Sequence, residues 1–464
     1  MEILNYIPLN NSAAIIFNDI TINYSKLHNK ISKTSNSLLE NNIKLDDRVI
    51  LISNNSIDFI IQVFSLWNIG AIPVPINPNF TKNELNNIVD QVLPEKILVE
   101  ENINVKLDIS TNDIINFPIK NSDKNIINKI NIDKNKTALI LFSSGSSGKA
   151  KGIKLSFNNL ISSALAQIKF LNLKKENKYL ASLPFYHIGG FSIITRTLFS
   201  GGAIIIPKSI KNEDIITAIE KHKPNSISLV LTQLKRILEK NFQPSVNLNN
   251  ILIGGSLIDT SLVIEAVKKG WKIIKVYGST ETCSFITAQR VNPKNLDSKS
   301  VGKVLGNNKI KIIDNKIAIK GDSVMQGYFN QQVDFSGDGY FITEDIGYID
   351  ENNELFVEGR KDDIIISGGE NISLKEIEYY VNKFEKIKDS TVIGIKDKEW
   401  GEIVAVSVVS INNDLFLLSD LNDFLSGYLA KYKLPKKIFF VDQIPRNEMG
   451  KILRYALMEK IKGC

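Results

Sequence analysis

TALILFSSGSSGKAKG, from Thr137 to Gly152, sets a short apolar run directly against serine, glycine and lysine. The first half has the length and composition of a buried strand bounded by turn-forming residues. The second half can be a surface linker, a dinucleotide turn or a cradle for phosphates. Closely spaced Gly145 and Gly148 let successive backbone N–H groups converge. Ser143, Ser144, Ser146 and Ser147 add hydroxyl donors, and Lys149 and Lys151 bring positive charge to oxygens already hydrogen-bonded. Ala150 stands where a Walker A loop needs Ser or Thr, and no convincing GxGxxG is present. As local pattern, a mobile loop without chemistry competes with phosphate binding; the position after a strand favours binding.

Outward from this stretch, strand and helix patterns alternate. SAAIIFNDI and TINY read as two short strands, YSKLHNKISKTSNSLLENN as a helix with Leu27, Ile31, Leu38 and Leu39 inward, VILISNN as a strand, DFIIQVFSLWNIG as a helix and AIPVPIN as a strand. After the glycine-serine loop come the helix FNNLISSALAQIKFL, the strand NKYLASLP, the helix-like IGGFSIITRTLFSG and the strands GGAIIIP, SISLV, NILIGG and KIIKVYG. Such alternation is the mark of a parallel sheet with helices on its faces, where ligands bind beyond the carboxyl ends of strands. The ends bearing GSSGK, GGS (Gly254 to Ser256) and YGSTE (Tyr277 to Glu281) are therefore expected to gather around one site.

From about Lys309 the pattern changes to short strands, KIKIID, KIAIKG, YFITEDIGYID and ELFVEG, and after the charged Gly359 to Asp363 it returns to mixed strand and helix. The fold class is α/β. Residues 1–359 form a large domain of parallel-rich, helix-flanked sheets with a β subdomain at about 305–359, and residues 360–464 form a small α+β domain.

The chain has 464 residues, 57 basic and 50 acidic side chains, and a formal charge of +7 without a basic tail. That excess slightly favours an anionic small ligand and gives no footprint for nucleic acid. Cys283 and Cys464 are the only cysteines, too few for a disulfide framework and in no metal-ligand spacing. MEILNYIPLN lacks the basic flank and apolar core of a secretory signal, and no apolar run approaches the roughly 18 residues of a membrane span. A cytoplasmic protein is expected. The sequence leaves the oligomeric state open, a homo-oligomer included.

Several side chains suit chemistry. Glu281 in YGSTETCS can hold a divalent metal against phosphate oxygens while Thr280 donates to a phosphate; magnesium takes its remaining ligands from nucleotide and water. An ordinary helix start capped by Ser279 or Thr280 fits the same letters. Asp345 can read a ribose diol and Arg360 can reach its oxygens, or the two can be a turn acid and a surface base. Lys451 in PRNEMGKILR is by itself a solvated charge. His187 in LPFYHIGG, beside Gly189 and Gly190, orients a substrate or packs as a core aromatic; His28 and His222 read as solvated.

Together these blocks resemble the adenylate-forming acyl-CoA synthetase family, which includes luciferases and peptide-synthetase adenylation domains. The carriers are SSGSSGKAKG (143–152), YGSTE (277–281), TED (343–345), GRKDDIIISGGENI (359–372) and the PR…GK block from Pro445 to Lys451. LPFYHIGG and LAKYKLPKKIFFVDQIPRN resemble the short aryl-acid branch of that family. Serines replace its usual threonines in the phosphate loop, Ala150 replaces proline and Glu344 replaces glycine, adding charge beside Asp345.

The resemblance implies a mobile C-terminal domain and two reactions in one place. A carboxylic acid attacks Mg2+-bound ATP to give an acyl-adenylate and pyrophosphate, and coenzyme A then displaces AMP. It implies that Lys451 bridges acid and α-phosphate, Glu281 meets the metal, Thr280 touches the α-phosphate and Ser143 to Lys151 hold pyrophosphate. Gly254, Gly255 and Ser256 with Tyr277 and Gly278 frame adenine, and Asp345 with Arg360 binds ribose. The hinge falls at Asp362, and Gly368 and Gly369 line the pantetheine channel. His187, Gly189 and Gly190 line the acyl pocket, where Arg196 attracts a second carboxylate, satisfies a core acid or points outward. The competing functions are another aryl- or medium-chain acyl-CoA ligase and a non-catalytic nucleotide-binding protein; a peptide-synthetase domain would feed a carrier segment, and none is expected after Cys464.

Overall fold

The computed structural model describes residues 2–105, 113–119, 131–143, 151–255, 257–333, 335–360, 363–367, 370–397, 400–411, 414–429, 431–448, 450 and 452–462. By internal contacts the chain divides into two compact units. The first holds residues 1–310, 319–341 and 350–355, and the second holds 311–318, 342–349 and 356–464.

The first unit is built on a nine-stranded sheet ordered Lys303–Val304, Ser284–Arg290, Ile273–Ser279, Asn250–Gly254, Ser226–Val230, Lys178–Leu180, Ala203–Ile206, Ala13–Phe17, Ile20–Asn23. From Ile273–Ser279 to Ala13–Phe17 neighbouring strands run parallel, and the pairs at both edges are antiparallel. Isoleucine-rich strands pack on the helices Asn212–His222, Leu231–Glu239 and Thr260–Lys268 through a core that includes Ile227, Ile251, Ile253, Leu234 and Trp271. Strands buried on both faces read as continuous apolar runs, which is why AIII lacks alternation; in SISLV the buried positions include Ser226 and Ser228. A second sheet, all parallel, is ordered Ile72–Ile76, Arg48–Ile52, Lys96–Glu100, Ile114–Phe117.

The opening stretch belongs to neither sheet. Thr137–Ser143 turns back on Lys151–Ser156 as an antiparallel hairpin, with Gly327–Tyr328 as its third strand. A strand, Lys151–Ser156, thus stands where the sequence pattern led straight into the helix Phe157–Leu171. The return strand was hidden because KGIKLS has too few apolar residues to show a period. Ile140 and Phe142 pack against Ile50, Ile52, Val74 and Ile76 of the second sheet.

A bulge between Thr137 and Leu139 leaves Ala138 outside the hairpin ladder. Its carbonyl accepts a 2.6 Å hydrogen bond from Trp67 Nε1 on the helix Ile57–Asn68. Trp67 is fully buried and meets Phe64, Phe157 and Phe191 edge-on at 5.1, 5.8 and 5.8 Å, so one side chain ties the hairpin to three helices.

The second unit holds most of the sheet Lys309–Ile313, Lys316–Lys320, Phe341–Ile349, Leu355–Arg360. It also holds the sheet Glu370–Ser373, Ile364–Ser367, Gly401–Ser410, Ile387–Asp397, with Lys437–Phe440 added parallel to Gly401–Ser410. Its core joins Val392, Val404, Val406 and Val408 to Leu374, Ile377 and Val381 of one helix and Leu421 and Leu425 of another. No helix among the described residues is long and apolar enough to cross a membrane.

Replacing Trp67 with Phe keeps most of the ring packing and strands the Ala138 carbonyl. The expected loss of stability is about 1–3 kcal/mol, read from chemical denaturation of the full chain; a variant as stable as the parent would show that the carbonyl finds another donor.

Candidate active site

The strand Ile273–Ser279 ends in a single 3-10 turn, Thr280–Thr282, before Ser284–Arg290 runs back antiparallel. The helix start that the letters also allowed is reduced to this one 3-10 turn, with Ser279 at its N-cap. The reversal is tight enough to need two non-glycine residues with positive φ, Cys283 at 55° and Ser284 at 86°. Left-handed backbone at such residues costs on the order of 1–2 kcal/mol each. Gly278 is required here, since a Cβ would lie 2.0 Å from the Ser284 carbonyl. Thr282 Oγ1 accepts from the Ser279 N–H at 2.8 Å and donates to the Ser284 carbonyl at 2.8 Å, closing the turn from inside. Thr280 and Glu281 are left partly exposed, and Thr280 makes no side-chain hydrogen bond to another described residue.

Glu281 is held from one side. Its carbonyl accepts from the Met325 N–H at 2.8 Å, and its Oε1 accepts from the Tyr328 hydroxyl at 3.2 Å. Lys151, at the foot of the hairpin, places its ammonium 5.3 Å from the centre of the same Tyr328 ring. The hairpin foot and the YGSTE turn are therefore brought together, although they lie on different sheets. Gly254 belongs to the same end of the large sheet, where a Cβ would lie 2.8 Å from Val276 Cγ2; Gly255 has φ +86°. Ser144 to Lys149, Ser256, Asp362, Gly368, Gly369 and Lys451 lie outside the described residues, as do the side chains of Ser143 and Arg360.

Asp345 sits in the strand Phe341–Ile349 of the second unit, its N–H donating to Thr343 Oγ1 at 3.1 Å. The unusual Glu344 beside it faces away: it is half exposed and accepts from Lys316 Nζ at 2.9 and 3.1 Å. Its added charge is thereby paired with a lysine.

His187 begins the helix Ile188–Phe199 without capping it, and its ring meets Tyr186 edge-on at 4.9 Å. Burial drives its pKa down to about 4 from the ordinary 6.5, so the imidazole is neutral near pH 7. Gly190 is buried, and a Cβ there would lie 2.0 Å from the Pro184 carbonyl; its smallness lets the helix press on the LPFY backbone. Asn55, which sequence reasoning missed, fixes that backbone. Its Nδ2 donates to the Leu183 carbonyl at 2.8 Å, and its Oδ1 accepts from the Phe185 N–H at 2.8 Å. An asparagine just after a strand was its only signal. His28 is not simply solvated, since its Nε2 lies 3.1 Å from the Pro8 carbonyl.

Arg196 points into the core and is 1% exposed. Its Nη1 donates to Gln167 Oε1 at 3.0 Å and Ser192 Oγ at 2.7 Å, and its Nη2 to the Tyr179 hydroxyl at 3.0 Å and Ser228 Oγ at 3.1 Å. The guanidinium lies 4.7 Å from the centre of the Tyr179 ring. All of these partners are neutral, and Nε has no partner among the described residues. Neither a core acid nor an outward orientation describes it. Burial lowers its pKa, opposed mainly by Tyr179. Cys283 is buried with its thiol pushed up to about 12, which removes it as a nucleophile.

Residues 9–329 match the AMP-binding enzyme family and residues 376–451 match the AMP-binding enzyme C-terminal domain. The chain belongs to the AMP-binding enzyme family, as the resemblance of its motifs implied. The 2-succinylbenzoate–CoA ligase of Bacillus pumilus is 31% identical over 428 residues, 88% of this chain and 86% of that protein. The o-succinylbenzoate CoA synthetase of Bacillus subtilis in complex with the acyl-adenylate intermediate OSB-AMP superposes with a TM-score of 0.88 at 27% identity, covering 96% of this chain and 95% of that one. The same synthetase in complex with ATP and magnesium ion gives a TM-score of 0.88 at 26% identity, covering 97% of each chain.

His187 has a pH signature. Its folded pKa of about 4 lies below the ordinary 6.5, so the unfolded chain binds the proton first as pH falls. Its contribution to stability is complete above about pH 6.5 and is lost as pH falls toward 4, on the order of 2 kcal/mol. Denaturation at pH 7 and pH 4.5 should show a smaller acid loss for His187→Gln than for the parent; parallel losses would remove the assignment.

Proposed function

We propose that this chain joins o-succinylbenzoate to coenzyme A with ATP, through an acyl-adenylate, releasing pyrophosphate and then AMP. Both halves need charge neutralised at a phosphate and reactants held in line, and neither needs a protein nucleophile. The fully buried thiol of Cys283 agrees with that and with a cytoplasmic setting. The partners are small molecules: the acid, the nucleotide and coenzyme A.

The choice of acid is supported by the likeness to 2-succinylbenzoate–CoA ligase over 88% of this chain and 86% of that protein, and beside it by Arg196. A buried guanidinium surrounded only by neutral oxygens is costly, and a carboxylate brought by the substrate would offset that cost. It stands two turns along the helix that His187 begins, so a neutral imidazole and a buried cation share one element. A substrate with an aryl body and a second carboxylate suits that pair better than a monocarboxylate.

Magnesium fits the residues present. The described residues hold no cluster of three or more acidic, histidine or cysteine ligands, but Glu281 offers Oε2 free of any described donor, with Thr280 next to it in the chain. A metal that keeps water and takes phosphate oxygens needs little more from the protein. Bound there, it neutralises phosphate charge; Lys151 and the 143–149 loop hold the departing pyrophosphate, and Thr280 donates to the α-phosphate. In this reading Gly254, Gly255, Ser256, Tyr277 and Gly278 frame adenine, while Asp345 and Arg360 hold ribose. The hinge falls at Asp362 between residues 1–359 and 360–464, with Lys451 serving the first half-reaction and Gly368 and Gly369 the second.

A panel of carboxylic acids assayed with ATP, magnesium and coenzyme A, the thioesters identified by mass, should single out o-succinylbenzoate. Arg196→Ala should then lose preference for it over benzoate by about 10-fold or more, as expected for an unpaired buried charge contact; unchanged preference would remove Arg196 from the acyl site. Lys451→Ala should lower adenylate formation on the order of 10²–10³-fold and spare thioester formation from supplied adenylate. Equal loss in both half-reactions would defeat its assignment to the first.

A further inference from the structure

The segment Val324–Phe329 makes contacts in two directions. Toward the hairpin, the Gln326 N–H donates to the Lys154 carbonyl at 3.0 Å and the Phe329 N–H to the Gly152 carbonyl at 2.6 Å. Asn159 Nδ2 donates to the Val324 carbonyl at 2.8 Å, anchoring the segment to the helix Phe157–Leu171. Toward the YGSTE turn, the Met325 N–H and the Tyr328 hydroxyl both reach Glu281. Tyr328 thus touches the two charged groups of the site at once, its hydroxyl on the Glu281 carboxylate and its ring against the Lys151 ammonium.

We infer that Tyr328 is a positioning residue for nucleotide binding: its hydroxyl holds one oxygen of Glu281 so that the other is presented to a divalent cation, and its ring holds Lys151 at the foot of the phosphate loop. This rests on the reading of Glu281 as the metal carboxylate. A glutamate on a surface turn samples several rotamers, and a ligand that requires one of them must meet the entropy of fixing it. Here the donor is a phenol whose own backbone is laddered to the hairpin, with Gly327↔Lys154 and Tyr328↔Ile153 in register, so the rotamer is set before any ligand arrives. Oε2 of Glu281 accepts from no described donor, which leaves it for the cation. The cation and the carboxylate cannot be spaced by their own elements, because one lies on the hairpin and the other on the large sheet. Tyr328 supplies that spacing.

The two halves of the side chain separate experimentally. Tyr328→Phe keeps the ring and removes the hydroxyl, and Tyr328→Leu removes both. By titration calorimetry on the full chain, Tyr328→Phe should weaken binding of magnesium–ATP by about 10-fold and leave binding of metal-free ATP in EDTA at the parental value. In the pyrophosphate-release assay its magnesium requirement should rise while the KM for the acid stays put. Tyr328→Leu should also weaken metal-free ATP, because Lys151 loses its platform. Parental magnesium–ATP affinity in Tyr328→Phe overturns the proposal, as does an equal loss for that substitution in a Glu281→Gln background. Glu281→Gln alone tests the underlying reading: unchanged magnesium–ATP affinity sinks both, whereas weakened affinity with an indifferent Tyr328→Phe sinks only the role of Tyr328.

Discussion

A loop proposed to bind phosphates is useful only if it is fixed against the groups that complete the site, and here the described strands that flank it belong to neither large sheet. Among the described residues no continuous ladder transmits position from the Glu281 turn to the Thr137–Ser143 hairpin. The Trp67 indole, bonded to a carbonyl that a bulge has freed, seats the hairpin among three helices. The third strand, Gly327–Tyr328, then locks its foot to Glu281. Much of the first unit can be understood as support for these two attachments.

The electrostatics of the first unit suit a reaction that moves phosphate charge rather than protons. His187 is kept neutral by burial, Cys283 is kept protonated by burial, and Arg196 remains a cation among neutral oxygens. The turn at Thr280–Thr282 is closed by hydrogen bonds from Thr282 although two of its neighbours sit in left-handed backbone. Strain held in this way presents Thr280 and Glu281 at a strand end without lengthening the turn.

Strands dense in isoleucine and valine were readable because burial on both faces favours apolar residues; SISLV, NILIGG and AIPVPIN appear where expected, although Ser226, Ser228 and Asn250 are buried as well. Helices with a wet face were readable for the opposite reason, as in Tyr24–Glu40. The strand Lys151–Ser156 was missed because KGIKLS is short and has few apolar residues, and Ser284–Arg290 because its polar side chains find partners in other segments: Thr287 donates to the Val301 carbonyl and Gln289 Nε2 to Glu354, while Gln289 Oε1 has no partner among the described residues. The alternation also suggested that three loops follow three strands of one sheet. Two do, and the third arrives from the hairpin.

By itself the sequence determined the α/β class, the family and the chemical inventory of the site, because apolar runs, glycine spacing and charged side chains are local properties written in the order of residues. The tertiary structure alone decided which neutral groups surround Arg196, that Glu344 turns to Lys316, and that Tyr328 stands between Lys151 and Glu281. Those facts depend on contacts between residues far apart in the chain, 177 positions from Lys151 to Tyr328 by their numbering (328 − 151). A hydrogen bond or a ring contact acts over a few ångströms, so its partners are chosen by how sheets and helices pack rather than by any pattern within either segment.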